Sequence, residues 1–223
     1  MTQTSISPDR SRPLNLLIIG STGGTGRELV RQALEQGHIV TAFARKPDKI
    51  RLHHANLKIA QGNVLDYASV DRAVAGQDAV LCALGHKRWV IKTSILSEGT
   101  RNIIRAMQQH GVKRLVCETS LGVGDSVGRL GLQYTLFLIP LLLFFYFRDK
   151  GVQERYIKES DRDWVIVRPG LLTNGKMRGR YKHGGKIGNY IWSVRISRAD
   201  VADFMLRQVA ENSYLRLAVG VAY

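Results

Sequence analysis

The sequence predicts an α/β fold: one doubly wound, mostly parallel sheet in a single domain, with a small C-terminal extension on the substrate side. Short apolar runs bounded by glycine or polar residues alternate, from Leu14 to Val219, with segments whose apolar residues recur at helical spacing. The 223 residues, 44% of them hydrophobic, can bury one sizeable core but are few for two full domains. Residues 1–13 are polar and carry no apolar stretch, so they read as a flexible arm ahead of a domain over residues 14–223.

The elements follow in order. Residues 14–19 (LNLLII) form a bounded apolar run that suits a buried parallel strand. A glycine loop follows, then a helix to Gln36 with Leu29, Val30, Ala33 and Leu34 at helical spacing, closed by Gly37. Strands are expected at residues 38–44, 57–60 and 78–84, with a short helix at 66–75 that Asp66 can cap. Residues 93–110 read as a long helix and 112–118 as a fifth strand. A helix ending at Ser160 precedes a sixth strand at 164–167, and a helix at 198–210 precedes a last strand at 215–219. Residues 175–188 are glycine-rich and basic; Lys176, Arg178, Arg180 and Lys182 recur with period two, which on a strand would gather four cations on one face. Such a face would suit an anionic substrate or a solvated sheet edge.

The formal net charge of +15 favours anionic partners. The cations are spread along the chain, with neither zinc-finger spacing nor an aromatic ribonucleoprotein motif, so no nucleic-acid role is expected. Cys82 and Cys117 both lie in apolar runs and read as buried thiols of a reducing compartment, in keeping with a cytoplasmic location. No His, Cys or carboxylate cluster has ligand spacing, so no metal site is expected.

The loop Gly20-Ser21-Thr22-Gly23-Gly24-Thr25-Gly26 sits between a strand and a helix, where glycines let backbone approach a dinucleotide pyrophosphate at the helix N-terminus. Thr22 and Thr25 add hydroxyls. At the end of the second strand, where an acidic residue would bond a free ribose hydroxyl, the chain has Arg45 and Lys46. Two cations there favour a 2′-phosphate, and hence NADP(H).

GSTGGTG, FARKP, GNVLD, DAVLCALG, SEGTRNIIRAM, LVCETS, WVIVRPG and SRADVADFMLRQ together resemble the atypical short-chain dehydrogenase/reductases. The pattern is most similar to their NAD(P)H-binding group that includes biliverdin-IXβ reductase, also called NADPH flavin reductase. The resemblance implies a Rossmann enzyme, monomeric or weakly associating, that passes hydride from NADPH to a flavin or a linear tetrapyrrole; related members reduce quinones or serve as sensors and assembly factors. It implies that Gly20, Thr22, Gly23, Gly24, Thr25 and Gly26 hold phosphates, that Arg45 and Lys46 read the 2′-phosphate, and that Asn63 and Val64 border the adenine. It further places Ala83, Leu84 and Gly85 over the nicotinamide ribose, Ser120 at the active-site mouth, and Pro169, Gly170 and Leu171 at the carboxamide end.

Two readings of the chemistry remain open. Tyr146 and Lys150 match the Y-x-x-x-K pattern in which, in typical members of the superfamily, tyrosine donates a proton to a carbonyl oxygen with the lysine's help. With Ser120 they would make a carbonyl or quinone reductase. A flavin or tetrapyrrole acceptor instead needs stacking on the nicotinamide and little acid–base apparatus. The histidines show no ligand pairing, and His86 is the one placed to meet substrate. Residues 130–147 carry no charge until Arg148. Pro140 and the need to return to the same sheet argue against a membrane span. The run is expected to line the substrate site, mediate self-association, touch a membrane surface or simply be buried.

Overall fold

Leu16 and Ile18 face one side of strand β1 (Asn15–Ile19) and Leu17 and Ile19 the other, and all four are fully buried. A strand covered on both faces needs helices on both, and the chain supplies them. The computed structural model describes residues 12–86 and 90–223. The elements after β1 are α1 (Gly24–Glu35), β2 (Ile39–Ala44), β3 (Leu57–Gln61), α2 (Tyr67–Val74), β4 (Ala79–Cys82), α3 (Ile95–Gln109) and β5 (Arg114–Glu118). There follow a π-helical segment (Tyr134–Leu143), α4 (Phe144–Glu159), β6 (Asp163–Pro169), β7 (Leu171–Thr173), β8 (Lys182–Gly184), β9 (Arg195–Ser197), α5 (Arg198–Ala210) and β10 (Leu217–Ala222). The expected arm falls almost wholly outside the described residues.

The main sheet has eight strands in the order β3-β2-β1-β4-β5-β6-β10-β8. Its pairs are parallel except β10 with β8. This is the doubly wound Rossmann arrangement, and its order reverses between β1 and β4, where a crevice opens at the carboxyl ends of the strands. One core layer joins β1, through Leu16 and Ile18, to α1 and α5; the other joins it, through Leu17 and Ile19, to α2, α3 and α4. Asp66 caps α2 by accepting from the Ala68 amide at 3.1 Å.

Two expectations fail. Lys176, Arg178 and Arg180 lie in a loop, and only Lys182 belongs to a strand. The loop is held instead by Asp200, whose Oδ1 accepts from the Arg178 and Gly179 amides at 2.9 and 2.8 Å, and by the Arg178 guanidinium over the Tyr223 ring. A strand-like face of four cations is therefore not formed. The apolar run at 130–147 is not a buried helix either, since no residue of Tyr134–Leu143 is buried.

The reason lies in α4. Its inward stripe is Asp149, Lys150, Gln153, Glu154 and Ile157, four polar residues and one apolar. Each of the four polar residues makes at least one hydrogen bond inside, although Gln153 Oε1 is left without a partner among the described residues. Asp149 accepts from the Leu96 and Ser97 amides, capping α3 from a neighbouring helix, and Gln153 donates to Thr100 Oγ1 at 3.0 Å. Among the described residues the preceding apolar turns are left half-buried or exposed. No helix among the described residues is long and apolar enough to cross a membrane.

Candidate active site

Gly20 leaves β1 with φ +84° and takes the chain close under β4: a Cβ there would lie 2.3 Å from the Ala83 carbonyl oxygen. Its own carbonyl accepts from the Gly23 amide at 2.8 Å, closing the turn, and Ser21 Oγ ties the loop to the Phe43 carbonyl at 2.8 Å. Gly26 packs against the same turn, where a Cβ would meet Gly20 O at 2.1 Å. Helix α1 then begins with no side-chain cap, whereas α2 and α5 are capped by Asp66 and Ser197. Its first-turn amides border a cavity of about 620 Å³. An uncapped helix start in a glycine cradle is the donor set that a pyrophosphate fits.

The cavity collects the ends of five parallel strands. Gly20, Thr22, Gly23, Gly24 and Thr25 line it, as do Arg45 after β2, Asn63 and Val64 after β3, and Ala83, Leu84 and Gly85 after β4. Tyr146 and Lys150 enter from α4, and His86 meets the Tyr146 ring edge-on at 4.9 Å. The fold thus brings together most of the residues singled out from the sequence.

Others stand outside it. Ser120 does not line the cavity; the lining residues at the end of β5 are Glu118 and Thr119. Pro169, Gly170 and Leu171 do not line it either: the Gly170 amide donates to Val221 O as the chain leaves the main sheet, and Leu172 reaches the cavity from β7. Lys46 is exposed and away from the lining, leaving Arg45 there. Gly26 serves packing. Thr25 is a lining residue, but its hydroxyl donates to Glu118 Oε1 at 3.1 Å and is committed inward.

Thr119 is the hub behind the site. Its hydroxyl donates to Glu154 Oε1 at 2.8 Å and its carbonyl accepts from Lys150 Nζ at 2.9 Å. Glu154 is also paired with Arg168, at 2.9 Å to Oε1 and 2.6 Å to Oε2, and Arg168 reaches Asp125 at 2.7 Å. Lys150 Nζ lies 5.2 Å from the Tyr146 ring centroid. Burial alone would lower the Lys150 pKa, but the negative charge available at Tyr146 and Glu118 outweighs it, and the net shift is upward. Burial pushes the Glu118 carboxyl up, against the opposing pull of Lys150 and the Thr25 hydrogen bond.

Sequence reasoning missed Glu118, Thr119, Leu172 and Arg198. The Arg198 side chain lies over Gly24, where a Cβ would meet Arg198 Cδ at 2.3 Å, and its guanidinium donates to Asn174 Oδ1 at 2.7 Å. It adds a cation to the glycine loop from the far end of the chain. Glu118 was detectable as a lone carboxylate directly after the apolar run at residues 115–117.

A family model described as NAD(P)H-binding matches residues 20–212. The chain belongs to the NAD(P)H-binding family. It is 26% identical over 213 residues to the photosystem II assembly factor Ycf39 of Synechocystis sp., covering 91% of this chain and 60% of that protein. Among solved structures it superposes on ChuY, an anaerobillin reductase from Escherichia coli O157:H7, with a TM-score of 0.77 at 22% identity, covering 93% of this chain and 96% of that one. It also superposes on a short-chain dehydrogenase/reductase of Veillonella parvula in complex with NADP, with a TM-score of 0.77 at 17% identity and 95% of each chain covered. The two structural likenesses speak to the fold. The family match makes NAD(P)H the cofactor of the chain, and the glycine-lined cavity is the candidate site for it. Among the described residues no group of three or more His, Cys, Asp or Glu is arranged to hold a metal ion.

Proposed function

We propose that this protein is an NADPH-dependent reductase whose acceptor is a flavin or a linear tetrapyrrole. One observation carries the reading: a single cavity runs from the glycine loop and Arg45 to a wall formed by Leu84, His86, Ile95 and Tyr146. Bound NADPH would supply the hydride. The chain's own part is placement. The amides of Gly23, Gly24 and Thr25 would hold the pyrophosphate, with Arg198 beside them, and Arg45 would meet the 2′-phosphate. Lys150, fixed by the Thr119 carbonyl, holds a positive charge at the reacting end. Tyr146 and His86 offer ring surface on which a planar acceptor can stack. The resemblance to the biliverdin reductase group and the fold shared with ChuY support this choice of acceptor.

A second reading draws on the presence of Tyr146 and Lys150 in the same cavity. There the Tyr146 hydroxyl would protonate the alkoxide formed when a carbonyl or quinone takes up hydride. The test is NADPH oxidation over a panel of flavins, biliverdin, quinones and aldehydes, with wild type and Tyr146→Phe. Flavin or biliverdin turnover that survives in Tyr146→Phe supports the first reading. Turnover confined to quinones or aldehydes that falls by about a hundredfold or more in Tyr146→Phe supports the second. Tight NADPH binding with no oxidation across the panel overturns both and leaves a sensing or assembly role.

A further inference from the structure

The apolar run that the core does not use is displayed as a surface. On the π-helical segment and the start of α4, Leu136, Phe137, Leu141, Leu142 and Phe144 are all half or more exposed, Leu141 at 74%. A second segment lies beside the entry to this helix. The Leu132 amide donates to Ile191 O at 3.2 Å and the Asn189 amide to Arg129 O at 2.8 Å, while Asn189 Oδ1 accepts from the Ile191 and Trp192 amides. This turn holds Tyr190, Ile191 and Trp192 outward, with Trp192 at 74% exposure. Two stretches far apart in sequence thus present exposed apolar side chains from adjoining segments, which we read as one face.

The formal charges that the two segments themselves carry have one sign. No carboxylate occurs between Asp125 and Asp149 or between Asp163 and Asp200. Asp125 is held by Arg168 and Asp149 is buried under α3. Exposed Arg148, Lys186 and Arg195 and half-buried Arg129 flank the apolar residues. A second copy of the chain would bring like charges together, which opposes self-association through this face. An anionic lipid surface matches both features, accepting the apolar and aromatic side chains below its headgroups and pairing the cations with phosphates.

We propose that this face docks on an anionic phospholipid bilayer without crossing it, with Phe137 and Leu141 from the helix and Trp192 from the adjoining turn entering the interface. Tyr146, a few residues beyond Leu141, lines the cavity, so docking would set the reacting end of the site close to the membrane. None of the three inserted residues lines the cavity.

The experiment is flotation of the full chain with vesicles of phosphatidylcholine alone and of phosphatidylcholine mixed with phosphatidylglycerol, at low and high salt. The wild type should float with the mixed vesicles, more weakly as salt rises but without complete release. The double variant Phe137→Glu/Leu141→Glu should partition at least about tenfold less, as expected when apolar anchors are replaced by charge. Trp192→Ser, changed on the other segment, should weaken partition in the same direction. NADPH affinity and the urea midpoint of each variant separate lost docking from lost folding. Lipids brominated on their chains should quench a part of the wild-type fluorescence that Trp192→Phe lacks. The proposal is overturned if the wild type does not float with mixed vesicles. It is also overturned if salt releases the protein fully and the variants bind as wild type does. A wild-type dimer that the double variant dissociates, with no vesicle binding, would assign the face to a second copy.

Discussion

Replacing Gly20 by alanine tests the close approach on which the cofactor cradle rests. The new Cβ would sit 2.3 Å from the Ala83 carbonyl oxygen and 2.7 Å from its carbon, both backbone atoms that cannot swing aside. The residue is also at φ +84°. Gly37 provides the control: its φ is +82°, and a Cβ there would meet nothing within 4 Å. An L-residue in the left-handed region costs about 1–2 kcal/mol, and alanine shortens the unfolded chain's list of conformations equally at both sites. Those contributions cancel in the comparison. What is left is the overpacking at position 20, on the order of 1–3 kcal/mol. Gly20→Ala should therefore be less stable than Gly37→Ala by about that amount in urea denaturation, read from the midpoint at constant slope. Relief of the clash must displace either the loop or Ala83, and both line the cavity. NADPH affinity, followed by nucleotide fluorescence, should then fall by about tenfold or more in Gly20→Ala and stay at the wild-type value in Gly37→Ala. Equal destabilisation of the two variants, or a Gly20→Ala protein that binds NADPH normally, would refute the reasoning.

Three further predictions follow from individual contacts. Arg45→Asp should weaken NADPH binding by about ten- to a hundredfold, through loss of a charge-assisted contact and repulsion of the 2′-phosphate, and NADH binding much less; equal losses would remove Arg45 from cofactor choice. Asp149→Ala, which deletes the acceptor of the Leu96 and Ser97 amides, should lower the unfolding free energy by about 1–3 kcal/mol; a change as small as that of an ordinary surface substitution would show that α3 needs no such cap. Burial would raise the Asp200 pKa, but hydrogen bonds from the Tyr223 and Ser197 hydroxyls and from the Gly179 and Arg178 amides hold it below the usual carboxylate range. A depressed folded-state pKa contributes stability above the ordinary range that disappears as pH falls through the lower value. The acid limb of wild-type stability should therefore be steeper than that of Asp200→Asn, measured by urea midpoints across acidic pH, and identical limbs would count against this role.

The sheet was legible because burial on both faces writes itself into the chain as short uninterrupted apolar runs. The glycine loop was legible for a related reason: at Gly20 and Gly26 neighbouring backbone leaves no room for a Cβ, so the residue type reports the geometry. The site's other wall was less legible. Ser120 looked like the end of β5, yet the strand ends at Glu118, and Glu118 and Thr119 line the cavity. Leu171 and Leu172 differ by one position, and the departure of β7 from the main sheet decides which of them faces the cavity. Lys176, Arg178 and Arg180 have strand periodicity but no strand to pair with, and their loop follows the carboxylate of Asp200 instead.

Helix α4 was the hardest element to read. Its apolar turns are outside and its polar stripe is inside, the reverse of the usual helix of a globular domain. Hydrophobicity alone cannot signal this, because the buried side chains of Asp149, Lys150, Gln153 and Glu154 take hydrogen-bond partners from α3, β6 and the residue after β5, which only the fold assembles.

Local chain properties therefore determined the parallel sheet, the glycine loop and the cation at position 45, since each depends on the residue and its immediate neighbours. Tertiary structure alone decided that Arg198 reaches the loop, that Thr119 links Lys150 to Glu154 and Arg168, and that the run from Tyr134 to Phe144 is not buried among the described residues. Those outcomes depend on which elements meet, and in a parallel sheet every such meeting joins segments that are distant in sequence.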